Sequence, residues 1–239
     1  MEKTNNKKRY GVIAVVLVAL LAAGVGTWAW LQATDTKTNE FTVGNIDKPE
    51  VKPDPDQPDK PGPDSTDPSV DGYLFETKWV KDSKMIPDTD INKNPNVGIG
   101  KDSDESYVFI YVKNAIIKDG EALAKTPYFT LNANWSPVGG QVNTNGNNNQ
   151  YVSGLFVYTA GVPSVPAVLA PADGKAAYTG ELFSTVHIPA AMNNTDVAAN
   201  PAMTVSCYIF GADQKGDKTD AANNAVEQAK AWAATRAKA

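Results

Sequence analysis

Short apolar runs separated by polar turns fill the chain from residue 70 onward, and this pattern predicts a domain built mostly of β-strands. The strongest run spans residues 106–117, where both alternating sets of side chains are apolar. A strand with two apolar faces lies inside a sheet and is covered on each side. Other strands are predicted at 34–46, 73–75, 96–99, 128–131, 151–159, 182–188 and 202–210, with a turn at 135–137 and a polar hairpin loop at 143–150.

An alanine-rich segment, residues 220–238, predicts one α-helix near the carboxyl end of the chain. Asp220 is the expected N-cap, and Val226 and Trp232 are the large members of the apolar stripe. Because the rest of that stripe is alanine, we expect the helix to dock on a sheet rather than to be stable alone.

Together these elements predict an all-β fold for residues 70–239, a jelly-roll-like two-sheet antiparallel sandwich with a C-terminal helix. The aromatic face formed by Tyr107, Phe109 and Tyr111 is expected to be a second core layer under the helix. A binding face for carbohydrate or a partner is the alternative for these aromatics.

The segment that precedes the domain has no apolar periodicity. Residues 47–68 contain seven prolines and seven acidic residues, so we predict an extended, partly polyproline II linker over 47–69. Residues 30–46 form an N-terminal strand segment, in which Phe41 and Val43 lie on one face. Such a linker either serves as a plain stalk or lets the first strand act at a distance.

Residues 1–29 predict a secretory signal peptide, because a basic start precedes a run of 22 uncharged residues. Thr27 and Ala29 are small residues at the −3 and −1 positions of a cleavage site after Ala29. An uncleaved signal anchor is the alternative. In both cases the rest of the chain is exported, so we predict a secreted protein of the extracellular matrix or cell surface whose only membrane contact is the signal segment.

Charge and composition exclude several classes of protein. Residues 1–29 carry four of the 22 basic and one of the 27 acidic residues, so the exported part has a net charge of −8. An acidic chain of this kind argues against nucleic acid as a partner. One cysteine and one histidine exclude an intrachain disulfide, a Cys/His zinc site and an HExxH-type protease.

The candidate site residues all have simpler structural explanations. His187 is expected to be a semi-exposed residue on a strand, and Cys207 a small buried hydrophobe. The oxygen ligands of Asp88-x-Asp90-x-Asn92-x-Asn94 begin like a calcium loop, but Lys93 takes the glycine position of that loop. We therefore predict no catalytic residue, no cofactor and no metal site.

Three stretches resemble one known family. They are residues 24–46, with Gly26-Thr27-Trp28-Ala29 at the cleavage site and Phe41-Thr42-Val43-Gly44-Asn45-Ile46 in the first strand; residues 79–113, with Lys93-x-Pro95-x-Val97; and residues 182–186 with 205–212, followed by a helix with Ala231-Trp232. Together they are similar to the SipW-dependent signal peptide proteins of the TasA/camelysin family, which form biofilm matrix fibres.

The resemblance implies a secreted jelly-roll protein of a Gram-positive bacterium that assembles into extracellular fibres by β-strand donation. In that interpretation Phe41, Thr42, Val43, Gly44, Asn45 and Ile46 form the assembly strand, and the partner is a second copy of the chain, with other matrix or cell-surface components as further partners. The chain departs from the family where the linker separates the first strand from the domain. The alternatives are a camelysin-like metallopeptidase and a stalked adhesin or ligand-binding module.

Overall fold

The structure is a computed structural model that describes residues 29–30, 38–42, 46–63, 72–80, 83–147, 149–212 and 218–238. The strands are β1 Ala29–Trp30, β2 Thr38–Thr42, β3 Leu74–Phe75, β4 Lys84–Met85, β5 Thr89–Asn92, β6 Asn96–Ile99, β7 Ser106–Ile117, β8 Trp135–Thr144, β9 Tyr151–Tyr158, β10 Val168–Leu169, β11 Ala177–Glu181, β12 Thr185–Ile188 and β13 Val197–Gly211. A 3₁₀ turn covers Leu123–Lys125, and helix α1 covers Lys218–Lys238.

One large sheet forms the centre of the molecule. Its strand order is β2-β13-β7-β9-β8, and β10 pairs with the start of β7. The long strands β7 and β13 run antiparallel from the pair Ser106–Gly211 to the pair Ala115–Ala202. As the two apolar faces of residues 106–117 predict, β7 lies inside the sheet with neighbours on both sides.

Smaller sheets cover the inner face of the large sheet. β11, β6 and β3 form one of them, β12 pairs with β5, and β1 pairs with β4. Apolar side chains of β3, β4, β5, β6 and β12 share one buried core with β7, β9 and β13. Members of this core include Leu74, Ile91, Val97, Ile99, Val108, Ile110, Val112, Phe156, Val186, Val205, Cys207 and Ile209. This arrangement is the predicted two-sheet sandwich.

Helix α1 covers the outer face of the large sheet. Its small residues and Trp232 bury the aromatic side of β7 and β13, including Tyr107, Phe109 and Tyr208. Trp232 stacks on Tyr208 with ring centroids 5.3 Å apart and meets Tyr111 edge-on at 6.4 Å. The predicted second core layer and the C-terminal helix are therefore confirmed, but the helix begins at Lys218, so Asp220 is not its N-cap. In the part of the chain that the structure describes, no helix is both long and apolar enough to cross a lipid bilayer.

Three local predictions are wrong. The segment 135–137 is not a turn but the start of β8, which tolerates Pro137 because an edge strand leaves some N–H groups unpaired. Tyr128 and Phe129 form only isolated bridges, to His187 and Tyr151, instead of a strand. The strand expected at 182–188 begins at Thr185, because the preceding residues turn into the core.

The proline-rich segment does not extend away from the domain as predicted. Residues 46–63, which we call the strap, fold into a hairpin with a bridge between Pro53 and Pro61 and lie against the sandwich. Pro49 and Pro53 are buried. Proline rings are stiff and apolar, so they dock at a small cost in entropy, and the carbonyl groups around them accept hydrogen bonds from the domain. Residues 64–69 of the predicted linker lie outside the described residues.

Candidate functional site

The edge of the large sheet holds the part of the predicted assembly strand that the structure describes. β2 lies parallel to β13, with Thr38 opposite Ser206 and Thr42 opposite Phe210. Phe41 is at the register position of Ile209. Without β2, the edge of this sheet would be β13, which carries a row of backbone groups able to pair with another strand.

The chain is fastened to the domain immediately after this strand. The Tyr73 hydroxyl donates to the Ile46 carbonyl at 3.0 Å, and the Gly100 amide donates to the Asp47 carbonyl at 2.7 Å. The Asp47 amide donates to Ser103 Oγ at 2.8 Å. Val43, Gly44 and Asn45 of the predicted assembly strand lie outside the described residues. The predicted set is thus divided between a strand position, for Phe41 and Thr42, and a docked position, for Ile46.

Tyr73, which makes one of these contacts, is a buried residue of the sandwich core. Burial, the nearby charge of Asp47 and the Cys207 thiol raise the pKa of the Tyr73 hydroxyl, which therefore stays protonated and keeps its role as a donor. The loop that carries Gly100 and Ser103 precedes β7, next to the end of β13. The fastening point and the strand position of β2 are therefore at the same end of the sheet.

The opposite edge of the large sheet is protected against strand addition. β8 carries Pro137, which has no N–H donor, and its pairing with β9 shifts register between Pro137 and Val142. Gly140 in this interruption has a φ of +72°, a conformation that favours glycine. Prolines and bulges are features that keep edge strands from pairing with other chains. The two edges of the sheet are therefore not equivalent.

The predicted signal cleavage site is only partly described. Ala29 lies in β1, opposite Met85 of β4, while Thr27 lies outside the described residues. Cleavage after Ala29 stays a prediction.

A buried ion pair, which the sequence did not predict, connects the residue after β3 with the segment between β5 and β6. Lys93 Nζ is 2.7 Å from Glu76 Oε1, and the two side chains are only 1% and 2% exposed. The Lys93 ammonium also lies over the Trp79 ring, 4.7 Å from its centroid. The strand pattern gives no signal for this pair, because its members are 17 positions apart in the sequence and lie outside the predicted strands.

Glu181 is the centre of a second polar cluster. Lys78 Nζ lies 2.9 Å from its carboxylate, Ser184 Oγ donates to it at 2.6 Å, and Asn94 Nδ2 donates to it at 3.1 Å. Burial alone would raise the pKa of Glu181, but the hydrogen bonds and charge of these partners lower it. The cluster holds a charged carboxylate in the sandwich, and Lys78, Ser184 and Asn94 each contact that carboxylate directly.

Among the remaining candidates, His187 lies on a strand as predicted, whereas Asp90 and Asn92 lie in β5, a strand that the sequence did not predict. His187 is 28% exposed on β12, and its Nδ1 is 2.9 Å from Asp90 Oδ1 on the paired strand β5. Asp88 Oδ1 is 4.0 Å from His187 Nε2. Asn94 belongs to the Glu181 cluster rather than to a calcium loop. Among the described residues, no group of three or more His, Cys, Asp and Glu side chains is arranged to hold a metal ion.

Cys207 is fully buried in the sandwich core. Burial raises the pKa of its thiol to about 12, so the thiolate that a nucleophile needs is not formed at neutral pH.

The comparisons with known proteins identify no family for this fold and edge arrangement. No protein-family model matches the chain. No curated protein and no solved structure matches it either.

Proposed function

We propose that this protein is a secreted structural component of a bacterial surface or biofilm matrix, and that its copies join into fibres by exchanging β2. The observation that supports this proposal is the parallel pairing of β2 with residues 206–210 at the edge of the large sheet. A strand from a neighbouring copy can make the same backbone hydrogen bonds in the same register. The exchange therefore changes only which molecule supplies the strand.

The contacts of the strap define the part of the chain that would stay with its own domain in such an exchange. Ile46 and Asp47 are bound to Tyr73, Gly100 and Ser103 of the same domain. The first of these contacts, at Ile46, lies four positions after Thr42, the last residue of β2. Because residues 46–63 are docked on the domain, a donated strand would leave its own domain before Ile46 rather than after the linker that the sequence suggested.

The unequal edges of the large sheet favour a polar fibre, in which all copies have the same orientation. The edge at β13 can receive a strand, whereas Pro137 and the register shift of β8 obstruct the opposite edge. Each copy would then donate one strand and accept one strand, which gives an open head-to-tail chain of copies.

Disulfide trapping between two variants tests this exchange. One exported protein carries Thr38→Cys and the other carries Ser206→Cys, both in a Cys207→Ala background, because residues 38 and 206 are paired. If β2 inserts into the neighbouring copy, mixing the two under oxidising conditions gives a covalent heterodimer on non-reducing gels. The matched control replaces Ser206→Cys by Gln141→Cys on the opposite edge, where residue 141 is exposed.

Fibres seen by electron microscopy without any covalent heterodimer would show that another contact drives assembly. Deletion of residues 30–42 should abolish the fibres, and fibres that persist after this deletion would overturn the proposal. A chain with both cysteines that forms only an intramolecular disulfide, with no fibres under any condition, would assign β2 to its own domain.

A further inference from the structure

A cleft of about 630 Å³ lies between the strap and one end of the large sheet. Asp59 and Lys60 of the strap form one wall, and the turn that carries Lys175 forms another. Small apolar residues, Tyr178, Asn134 and Tyr158 complete its lining. The volume is within the range of small-molecule sites, about 300–1,000 Å³.

The polar groups of the cleft come from three separate segments of the chain. Asn134 is held in place because its Nδ2 donates to the Thr179 carbonyl at 3.2 Å. Lys60 Nζ donates to Gln57 Oε1 at 2.6 Å and keeps two further N–H donors. Among the described residues, Lys175 has no side-chain hydrogen bond or ion pair, and it is exposed at the rim.

Tyr158 gives the cleft an aromatic surface. Its ring is fixed edge-on against Trp135, with centroids 5.9 Å apart, and it is partly exposed. Burial and, second, the charge of Asp59 raise the pKa of the Tyr158 hydroxyl, and both residues line the cleft. A rigid ring with a carboxylate, an amide and ammonium groups around it fits a ligand with an apolar ring face and many hydroxyl groups.

The lining of the region carries one more basic than acidic side chain, in contrast to the acidic chain as a whole. A second cleft of about 430 Å³ adjoins the first and shares Pro61, Lys175 and Ala176 with it. It adds Lys101 and Glu50 to the lining. Three lysines and two acidic side chains therefore face the two clefts, in a protein whose exported part has more acidic than basic residues.

We propose that the cleft binds a short stretch of an anionic glycan. Lys175 and Lys60 would bind its carboxylate or phosphate groups, Asn134 and Asp59 its hydroxyl groups, and Tyr158 one sugar ring. This assignment also gives the strap a role, because the strap supplies one wall of the cleft. It is independent of β2, whose strand position is at the β13 edge.

Isothermal titration calorimetry of the exported protein with three probes tests this inference. The probes are tri-galacturonate, which carries carboxylates, a glycerol phosphate oligomer, which carries phosphates, and neutral maltotriose. Binding of an anionic probe should weaken with added salt and should fall about tenfold or more in Lys175→Glu, because a favourable charge becomes a repulsive one. Lys175→Ala should weaken binding less. The matched control Lys238→Glu makes the same change of net charge at the end of α1, and it should alter affinity by less than about twofold.

Thermal unfolding of each variant verifies that it is folded. Binding of tri-galacturonate alone would identify carboxylate glycans as the ligand, and binding of the phosphate oligomer alone would identify phosphate glycans. Binding of both supports the shared anionic chemistry. Three results would overturn the proposal: no binding of either anionic probe, equal binding of maltotriose, or an affinity that Lys175→Glu leaves unchanged.

Discussion

The pair formed by Glu76 and Lys93 shows how much the surroundings of two charges matter. Both side chains are buried, with 2.7 Å between Lys93 Nζ and Glu76 Oε1. Glu227 and Lys230 on α1 have the same separation of 2.7 Å, but their side chains are 70% and 32% exposed. Water screens the helix pair and competes for its hydrogen bonds, whereas each buried charge depends on its partner.

We therefore expect Lys93→Met to lower the free energy of unfolding by about 3–5 kcal/mol, because it leaves the Glu76 carboxylate buried without its cation. The matched change Lys230→Met in the exposed pair should cost less than about 1 kcal/mol. Urea denaturation of the two variants measures both values. The double variant Lys93→Met/Glu76→Leu should recover much of the loss. Similar losses at the two sites would contradict the role given to burial.

Glu181 makes the stability of the protein depend on pH in the acid range. Its pKa in the folded protein is below its ordinary value of 4.5, so the unfolded chain binds more protons than the folded one near that pH. The contribution of Glu181 to stability is therefore complete above pH 4.5 and is lost as the pH falls through the lowered pKa.

We expect the midpoint temperature of unfolding of Glu181→Gln to fall less steeply below pH 5 than that of the unsubstituted protein. The reason is that the variant lacks the one carboxylate that binds a proton on unfolding in this range. Circular dichroism melts across the acid range measure this dependence. Glu227→Gln on the exposed surface of α1 is the control and should leave the profile almost unchanged. A profile for Glu181→Gln that matches the unsubstituted one would show that its partners do not favour the charged form.

At the scale of elements, the sequence could predict what depends on periodicity. β7 begins and ends at the predicted residues, because both of its faces are apolar and both are covered. The turn expected at 135–137 is strand instead, since the position of a proline at a sheet edge depends on which strands are neighbours. The docking of the strap has no periodic signal either, because it uses proline rings and backbone carbonyls that serve equally well in an extended chain.

Helix α1 depends on one large side chain for its attachment. Apart from Trp232, its buried residues in the outer core are Ala221, Ala225, Ala229 and Ala233. Trp232 contacts Tyr208 and Tyr111, and Arg236 lies over its ring at 5.9 Å. A helix of 21 residues with an alanine stripe therefore gains most of its packing energy at one position.

Trp232→Ala should lower the free energy of unfolding by about 3–5 kcal/mol and release the helix from the sheet. Hydrogen exchange would show faster exchange for amides of α1 while those of β7 and β13 stay protected. The control Lys230→Ala changes a partly exposed residue of the same helix, outside the outer core, and should have little effect. Unchanged protection of α1 in Trp232→Ala would mean that the alanine stripe alone holds the helix.

At the scale of the whole molecule, the strap connects features that the sequence places far apart. Its first residues fasten the chain beside the β13 edge, and its hairpin forms a wall of the cleft with Lys175. Hydrogen bonds from the domain to strap carbonyls hold it: Tyr73 to Ile46, Asn96 to Pro58 and Tyr178 to Val51. The proposed glycan binding requires the strap to stay docked, and the docked strap also fixes the position from which β2 would be exchanged.

The double variant Tyr73→Phe/Tyr178→Phe tests this docking, because it removes two hydroxyl donors and keeps the rings in place. Each lost hydrogen bond should cost about 1 kcal/mol, so the amides of Asp54 and Gly62 in the strap hairpin should exchange about thirtyfold faster. Amides of β7 should keep their exchange rates. Tyr128→Phe, whose ring packs on His187, is the matched control. If strap amides exchange at the rate of an unfolded peptide before any substitution, the segment is an open linker, and neither the attachment at Ile46 nor the strap wall of the cleft exists.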